Sequence, residues 1–186
     1  MKKNIAVFSS GRGGNFENIC NYFQNDNRVL VALHVTNKLN SISKTIADKR
    51  NVRNVYVTKG GLEKNSFCEI LQENNIHFIV LAGFLLKLPS HLVSSYDKKI
   101  INLHPSLLPK FGGKGMYGDN VHLKVLSSGE KKTGITIHYV NEEYDSGGII
   151  FQKEIELSDA ETLETLREKI REIEYYYFPR IIKNLL

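Results

Sequence analysis

The chain is poor in cysteine and has no long basic or long apolar run, and each shortage removes a class of protein. Its 186 residues hold two cysteines, Cys20 and Cys68. They lie far apart, each inside a segment with helical periodicity, so neither a disulfide framework nor a cysteine metal cluster is supported. Both read as reduced, buried thiols. Lys2 and Lys3 are followed by too few apolar residues before Ser9 for a secretory signal, and no apolar stretch reaches transmembrane length. A cytoplasmic protein without a membrane partner is expected. The formal net charge is +5, but lysine and arginine are spread from Lys2 to Lys183 with acids between them. That pattern carries no nucleic-acid footprint and fits a phosphate-bearing small molecule equally well. There is no repeat, low-complexity tract or linker. At 41% hydrophobic the chain supports one sizeable core, and a single domain over residues 1–186 is expected.

What is present alternates between apolar runs and helical periodicity. Ile5–Phe8, Arg28–Thr36, Val55–Val57, Phe78–Phe84, a run from Ile100, Thr133–Val140 and Ile149–Leu157 read as strands. Helices are expected from about Phe16, from near Ser41, over Leu62–Glu73, over about Asp119–Ser127 and from Ala160 to the end, the last capped by Ser158 or Asp159. The order predicts an α/β fold, a mostly parallel twisted sheet of about seven strands with helices on both faces. Phe78–Phe84, apolar on both sides, belongs at its centre.

Three stretches collect chemistry where such a sheet binds ligands, at the carboxyl ends of its strands. In Ile100-Ile101-Asn102-Leu103-His104-Pro105-Ser106-Leu107-Leu108-Pro109, Asn102 and His104 are two apart. On an extended backbone they face the same side, about 6 to 7 Å apart, and two prolines then end the strand. A donor and a titratable group on one face make an acyl-transfer site, or else a polar strand end. Ser9-Ser10-Gly11-Arg12-Gly13-Gly14-Asn15 is a glycine-rich strand-to-helix turn able to hold an anion at a helix N-terminus, with Asn15 as a cap. Its spacing matches neither the dinucleotide nor the Walker pattern, so a tight turn explains it as well. Leu85-Leu86-Lys87-Leu88 stays apolar where a loop should turn polar, fitting a pocket wall for a flat ligand or packing under the next helix. Lys110–Gly118 holds four glycines with Met116 and Tyr117 and reads as a mobile loop over the cleft, and His122 faces either packing or cleft. His34 reads as a core histidine.

Taken with Leu81-Ala82-Gly83-Phe84 and Tyr144-Asp145-Ser146-Gly147-Gly148, these motifs resemble, over essentially the whole chain, those of the phosphoribosylglycinamide formyltransferases. The Ile101–Pro109 motif is also found in methionyl-tRNA formyltransferases and formyltetrahydrofolate hydrolases, which are longer chains. The glycine-rich turn and the short length favour the glycinamide family.

The resemblance implies a Rossmann-like formyltransferase fold. It also implies transfer of a formyl group from 10-formyltetrahydrofolate, a co-substrate, to the amine of glycinamide ribonucleotide in purine synthesis, with no metal. It implies Asn102, His104 and Asp145 as the catalytic group, Asp145 orienting His104 and raising its pKa. Gly13, Gly14 and Asn15 would take the ribose phosphate, with Glu174 near the glycinamide amine. Lys64, Leu85, Leu86, Lys87, Leu88, Asn102, Asn141, Glu142, Glu143, Tyr144 and Asp145 would line the folate site. Lys64 stands where relatives often have arginine, and lacks its bidentate fork. Arg171 stands at another substrate-contacting position. Partners would be small molecules only, the chain a monomer or weak homodimer. A hydrolase using water as acceptor and a non-catalytic nucleotide-binding module are the alternatives.

Overall fold

Residues 2–186 are described by a computed structural model. The elements in chain order are β1 (Lys3–Phe8), α1 (Gly14–Phe23), β2 (Val29–Thr36), α2 (Ile42–Lys49), β3 (Arg53–Tyr56), α3 (Lys59–Leu62) and α4 (Asn65–Glu73). They continue with β4 (Ile76–Leu81), α5 (Ser90–Ser95), β5 (Ile100–His104), α6 (Asp119–Ser127), β6 (Lys132–Tyr139), β7 (Ile149–Glu156) and α7 (Leu163–Leu185). The seven strands form one sheet in the order β3-β2-β1-β4-β5-β6-β7. Strands β3 to β5 are parallel, whereas β6 and β7 run antiparallel to their neighbours. The most apolar strand, β4, is the middle one, as its two-sided hydrophobicity requires.

Alternation along the strands feeds two cores. Ile5, Val7, Phe78, Val80, Ile101 and Leu103 face a layer that includes Phe16, Ile19 and Phe23 of α1, Val121 and Val125 of α6, and Phe178 and Ile182 of α7. Ala6, Phe8, Ile79, Leu81 and Ile100 face the other layer, with Leu62, Phe67, Leu71 and Leu92 from α3, α4 and α5. Each fully buried Leu, Ile or Phe contributes roughly 1.5 to 3 kcal/mol, and this two-sided burial fixes strand register. Among the described residues no helix is long and apolar enough to cross a membrane.

Helix boundaries depart from expectation in three places. Helix α1 begins two residues early because Gly13 caps it in the left-handed conformation (φ 73°), so Asn15 is inside the helix and is not the cap. The helix expected over Leu62–Glu73 is two: α3, whose start is capped by Thr58 Oγ1 accepting the Gly61 N–H at 3.0 Å, and α4. Gly60 and Gly61 are poor helix formers and make α3 a single turn. Helix α7 starts at Leu163, capped by Thr162 in a reciprocal capping box with Thr165, and neither Ser158 nor Asp159 is its cap.

Candidate functional site

A cavity of about 340 Å³ opens at the carboxyl ends of β1, β4 and β5. Its walls bring together Gly14 and Asn15 of α1, the Leu81–Leu88 stretch, Asn102 to Pro105, Met116 to Gly118, His122, His138, Asn141, Glu143, Tyr144, Asp145 and Glu174. Three of the expected residues do not line it: Gly13, Lys64 and Glu142. Lys64 caps α4 and Gly13 is packed under the turn, where a Cβ would lie 2.6 Å from that of Ser43. Among the described residues Lys87 is thus the one lysine or arginine in the cavity wall. Its Nζ lies 5.8 Å from the centroid of Tyr144, spanning the two walls.

The first wall is built by a buried polar chain under the glycine-rich turn. His34 Nδ1 meets Asn54 Oδ1 at 2.5 Å, and its Nε2 meets Ser9 Oγ at 2.7 Å. An amide oxygen only accepts, so the proton sits on Nδ1 and Ser9 donates to Nε2. The ring stacks on Phe16 at 4.3 Å and is fully buried, which lowers its pKa. It is a satisfied core histidine that fixes the turn. Ser10 ties the same turn to β4: its N–H donates to the Gly83 carbonyl at 3.0 Å and its Oγ accepts the Leu85 N–H at 2.9 Å.

Asn102 and His104 share a face of β5, as the alternation requires, and β6 supplies a neighbour. The antiparallel register pairs Asn102 with His138. Asn102 Nδ2 lies 3.1 Å from His138 Nε2 and 3.3 Å from Asp145 Oδ1. His138 Nδ1 lies 2.8 Å from the Tyr139 carbonyl, so Nδ1 carries the proton and Nε2 accepts from Asn102. Both amide protons of Asn102 are therefore engaged and the amide's orientation is fixed.

Asp145 enters from the loop after β6 with φ 52°, a left-handed conformation that aspartate tolerates better than most residues. Its Oδ2 accepts the Gly113 N–H at 2.8 Å and lies 3.5 Å from His104 Nδ1, while its Oδ1 is 3.6 Å from His138 Nε2. Burial alone would raise its pKa, but the Gly113 N–H and the charge that His104 carries in acid bring it below the usual carboxylate value. It is anionic at neutral pH.

His104 is 3% exposed, and its Nε2 donates to the Phe111 carbonyl at 2.8 Å. Here one expectation fails. Asp145 and the Phe111 carbonyl do favour the imidazolium, but burial outweighs them and the pKa of His104 lies below its ordinary value. The ring is neutral at pH 7, with its proton on Nε2. The glycine-rich 110–118 segment is tied to the site at two points, through Phe111 to His104 and through Gly113 to Asp145.

Glu174 of α7 faces Asn15, whose Nδ2 donates to Glu174 Oε2 at 2.8 Å. Burial raises the pKa of Glu174 to about 7, the Asn15 bond only partly offsetting it. His122 also lines the cavity. It is buried, which lowers its pKa, and its Nδ1 has no partner. Cys20 is an inert core thiol, its pKa pushed up to about 12 by burial. Among the described residues no group of three or more His, Cys, Asp or Glu is arranged to hold a metal ion.

His138 lines the cavity without belonging to any motif of the sequence. Its position in the alternating Thr133–Val140 run was visible, but which residue of the neighbouring strand it faces depends on register.

Residues 3–182 match the formyl transferase family profile. The phosphoribosylglycinamide formyltransferase of Bacillus subtilis is 37% identical over 193 residues, covering 100% of this chain and 95% of its own. The chloroplastic enzymes of that name are longer: the chain spans 64% of the one from Arabidopsis thaliana, at 36% identity, and 61% of the one from Vigna unguiculata, at 33%. Among solved structures, glycinamide ribonucleotide transformylase 1 from Geobacillus kaustophilus superposes with a TM-score of 0.89 at 32% identity, each chain covered completely. Phosphoribosylglycinamide formyltransferase from Bacillus halodurans gives 0.90 at 32% identity, with 99% of this chain and 95% of that one covered.

Proposed function

The chain belongs to the formyl transferase family, and from that premise we propose that its cavity moves the formyl group of 10-formyltetrahydrofolate to the amine of glycinamide ribonucleotide. The observation that carries this reading is the convergence of Asn102, His104 and Asp145 at one end of a cavity. The same cavity has an apolar strip on one side and a helix N-terminus with Asn15 and Glu174 on another.

The amine nitrogen attacks the formyl carbon, the new C–N bond forms, and negative charge collects on the formyl oxygen. A donor fixed before the reaction stabilises that charge by about 3 to 4 kcal/mol. Asn102 is held for this by His138 and Asp145, and of its two bonds the 3.3 Å one to Asp145 is the one an oxyanion replaces. Neutral His104 accepts the amine proton at Nδ1, on the side of Asp145, whose carboxylate stabilises the imidazolium that forms. Collapse of the intermediate breaks the bond to the folate nitrogen, which takes up the proton from His104 directly or through water.

Leu85, Leu86, Lys87 and Leu88 form one side of the pterin site, and Asn141, Glu143 and Tyr144 the other. Gly14 and Asn15 hold the ribose phosphate, with Gly13 shaping their turn, and Glu174 faces the polar groups of the nucleotide, the glycinamide amine among them. The protein works as a monomer or weak homodimer in the cytoplasm on small molecules alone, as a single domain that uses no metal.

The test is a steady-state assay of the purified protein with both substrates and with each omitted. Formylated glycinamide ribonucleotide and tetrahydrofolate in equal amounts support the reading. Formate release at the same rate without the nucleotide would make water the acceptor.

A further inference from the structure

A side chain at Gly14 would meet one near atom. It is the first residue of α1 and its φ is not in the left-handed region, so the backbone does not demand glycine. A Cβ there would collide with the hydroxyl oxygen of Tyr175, while the ring atoms behind it, Cζ at 3.5 Å and Cε1 at 3.8 Å, stand at ordinary contact distance. The tyrosine hydroxyl therefore occupies the volume that a side chain at position 14 would fill, beside a residue that lines the cavity.

That hydroxyl is not committed elsewhere. Tyr175 bonds through its carbonyl, which accepts Asn18 Nδ2 at 2.9 Å, and among the described residues its hydroxyl has no hydrogen-bond partner. On the next residue of α1, Asn15 Oδ1 is a buried acceptor without a partner among the described residues, its amide nitrogen being held by Glu174. Arg171, one turn earlier on α7, is near enough to act on the phenol electrostatically. The first internal bond of α1 runs from the Glu17 N–H to the Gly13 carbonyl, leaving the N–H groups of Gly14, Asn15 and Phe16 free. Burial raises the pKa of the phenol, so it keeps its proton.

We propose that the Tyr175 hydroxyl is a donor to the phosphate monoester of the nucleotide substrate, supplied from α7 in place of a side chain at position 14. This rests on the nucleotide-binding reading given above, to which it adds a residue, a direction of donation and a reason for Gly14.

The test uses Tyr175→Phe and the double variant Gly14→Ser/Tyr175→Phe, in which the serine side chain grows into the space the hydroxyl leaves. Each is assayed with glycinamide ribonucleotide and with the nucleoside lacking the phosphate, and each is titrated with ribose 5-phosphate by calorimetry, which reads binding without catalysis. Tyr175→Phe should raise KM for the nucleotide and weaken ribose 5-phosphate about 10-fold, the scale of one hydrogen bond to a charged group. It should leave kcat/KM for the nucleoside unchanged, and the double variant should recover most of the lost affinity. Equal effects on nucleotide and nucleoside, ribose 5-phosphate affinity within twofold of the parent, or a parent that does not bind ribose 5-phosphate would overturn the proposal. A parent that binds ribose 5-phosphate through Tyr175 yet formylates nothing would overturn the reaction assigned above while leaving this site standing.

Discussion

The carboxylate of Asp145 stands 3.5 Å from Nδ1 of His104, with the imidazole proton on the opposite nitrogen. A neutral ring facing an anion in this way is poised to take a proton on the side where the resulting cation is stabilised.

Asp145→Asn removes that stabilisation and places an amide where Asn102 and Gly113 both need an acceptor. We expect kcat for formyl transfer to fall about 100-fold or more, on the scale of losing one preorganised electrostatic contact, with substrate dissociation constants within a few-fold. Stopped-flow measurement of a single turnover separates the two.

His138 acts through Asn102, whose amide it holds at 3.1 Å. His138→Ala should lower kcat about 10-fold, the worth of one hydrogen bond that orients a donor. Placed on top of Asn102→Ala it should cost almost nothing more, because residues in one network are not additive. Additive losses in that double-mutant cycle would give His138 an independent role.

The Glu174 pKa of about 7 links this residue to stability. Its folded pKa is raised above the unfolded value, so the folded state binds more protons between about pH 4.5 and 7 and loses stability as pH rises through that window. Glu174→Gln should gain in thermal midpoint relative to the parent at pH 8 and not at pH 4, as paired melting curves at the two pH values would read. Taking the difference between parent and variant cancels the histidines, whose lowered pKa values act in the opposite direction over an overlapping range.

Lys87 lines the cavity and Lys64 does not. Lys87→Ala should raise KM for the folate donor a few-fold, the worth of one exposed charge contact, and Lys64→Ala should leave it unchanged. A larger effect from Lys64 would mean that the donor extends across the surface beyond the described cavity.

Strand content, the two-sided sheet and the pairing of Asn102 with His104 on one face were legible in the sequence because each depends on local periodicity. The same is true of the Asp119–Ser127 helix, which has the residues expected of it. Properties that depend on sums over the fold were not legible. The pKa of His104 falls because burial from several elements exceeds the pull of one carboxylate, and no spacing reports that balance. His138 joins the site through the register of β6 on β5, and Lys64 is the cap residue between α3 and α4, outside the cavity wall. Asn15 has a residue type that caps well, yet Gly13 takes that position and releases Asn15 to Glu174. The anchoring of the 110–118 segment on His104 and Asp145 uses a backbone carbonyl and a backbone N–H, groups that residue identity does not display.

The central claim is that Asn102, His104 and Asp145 carry formyl transfer in this cavity, and His104→Ala tests it most directly. The variant and the parent would be compared in formylation of glycinamide ribonucleotide by 10-formyltetrahydrofolate, with binding of both ligands measured in parallel. The account predicts a fall in kcat of about 100-fold or more with both dissociation constants held within a few-fold. Activity within a few-fold of the parent would contradict it.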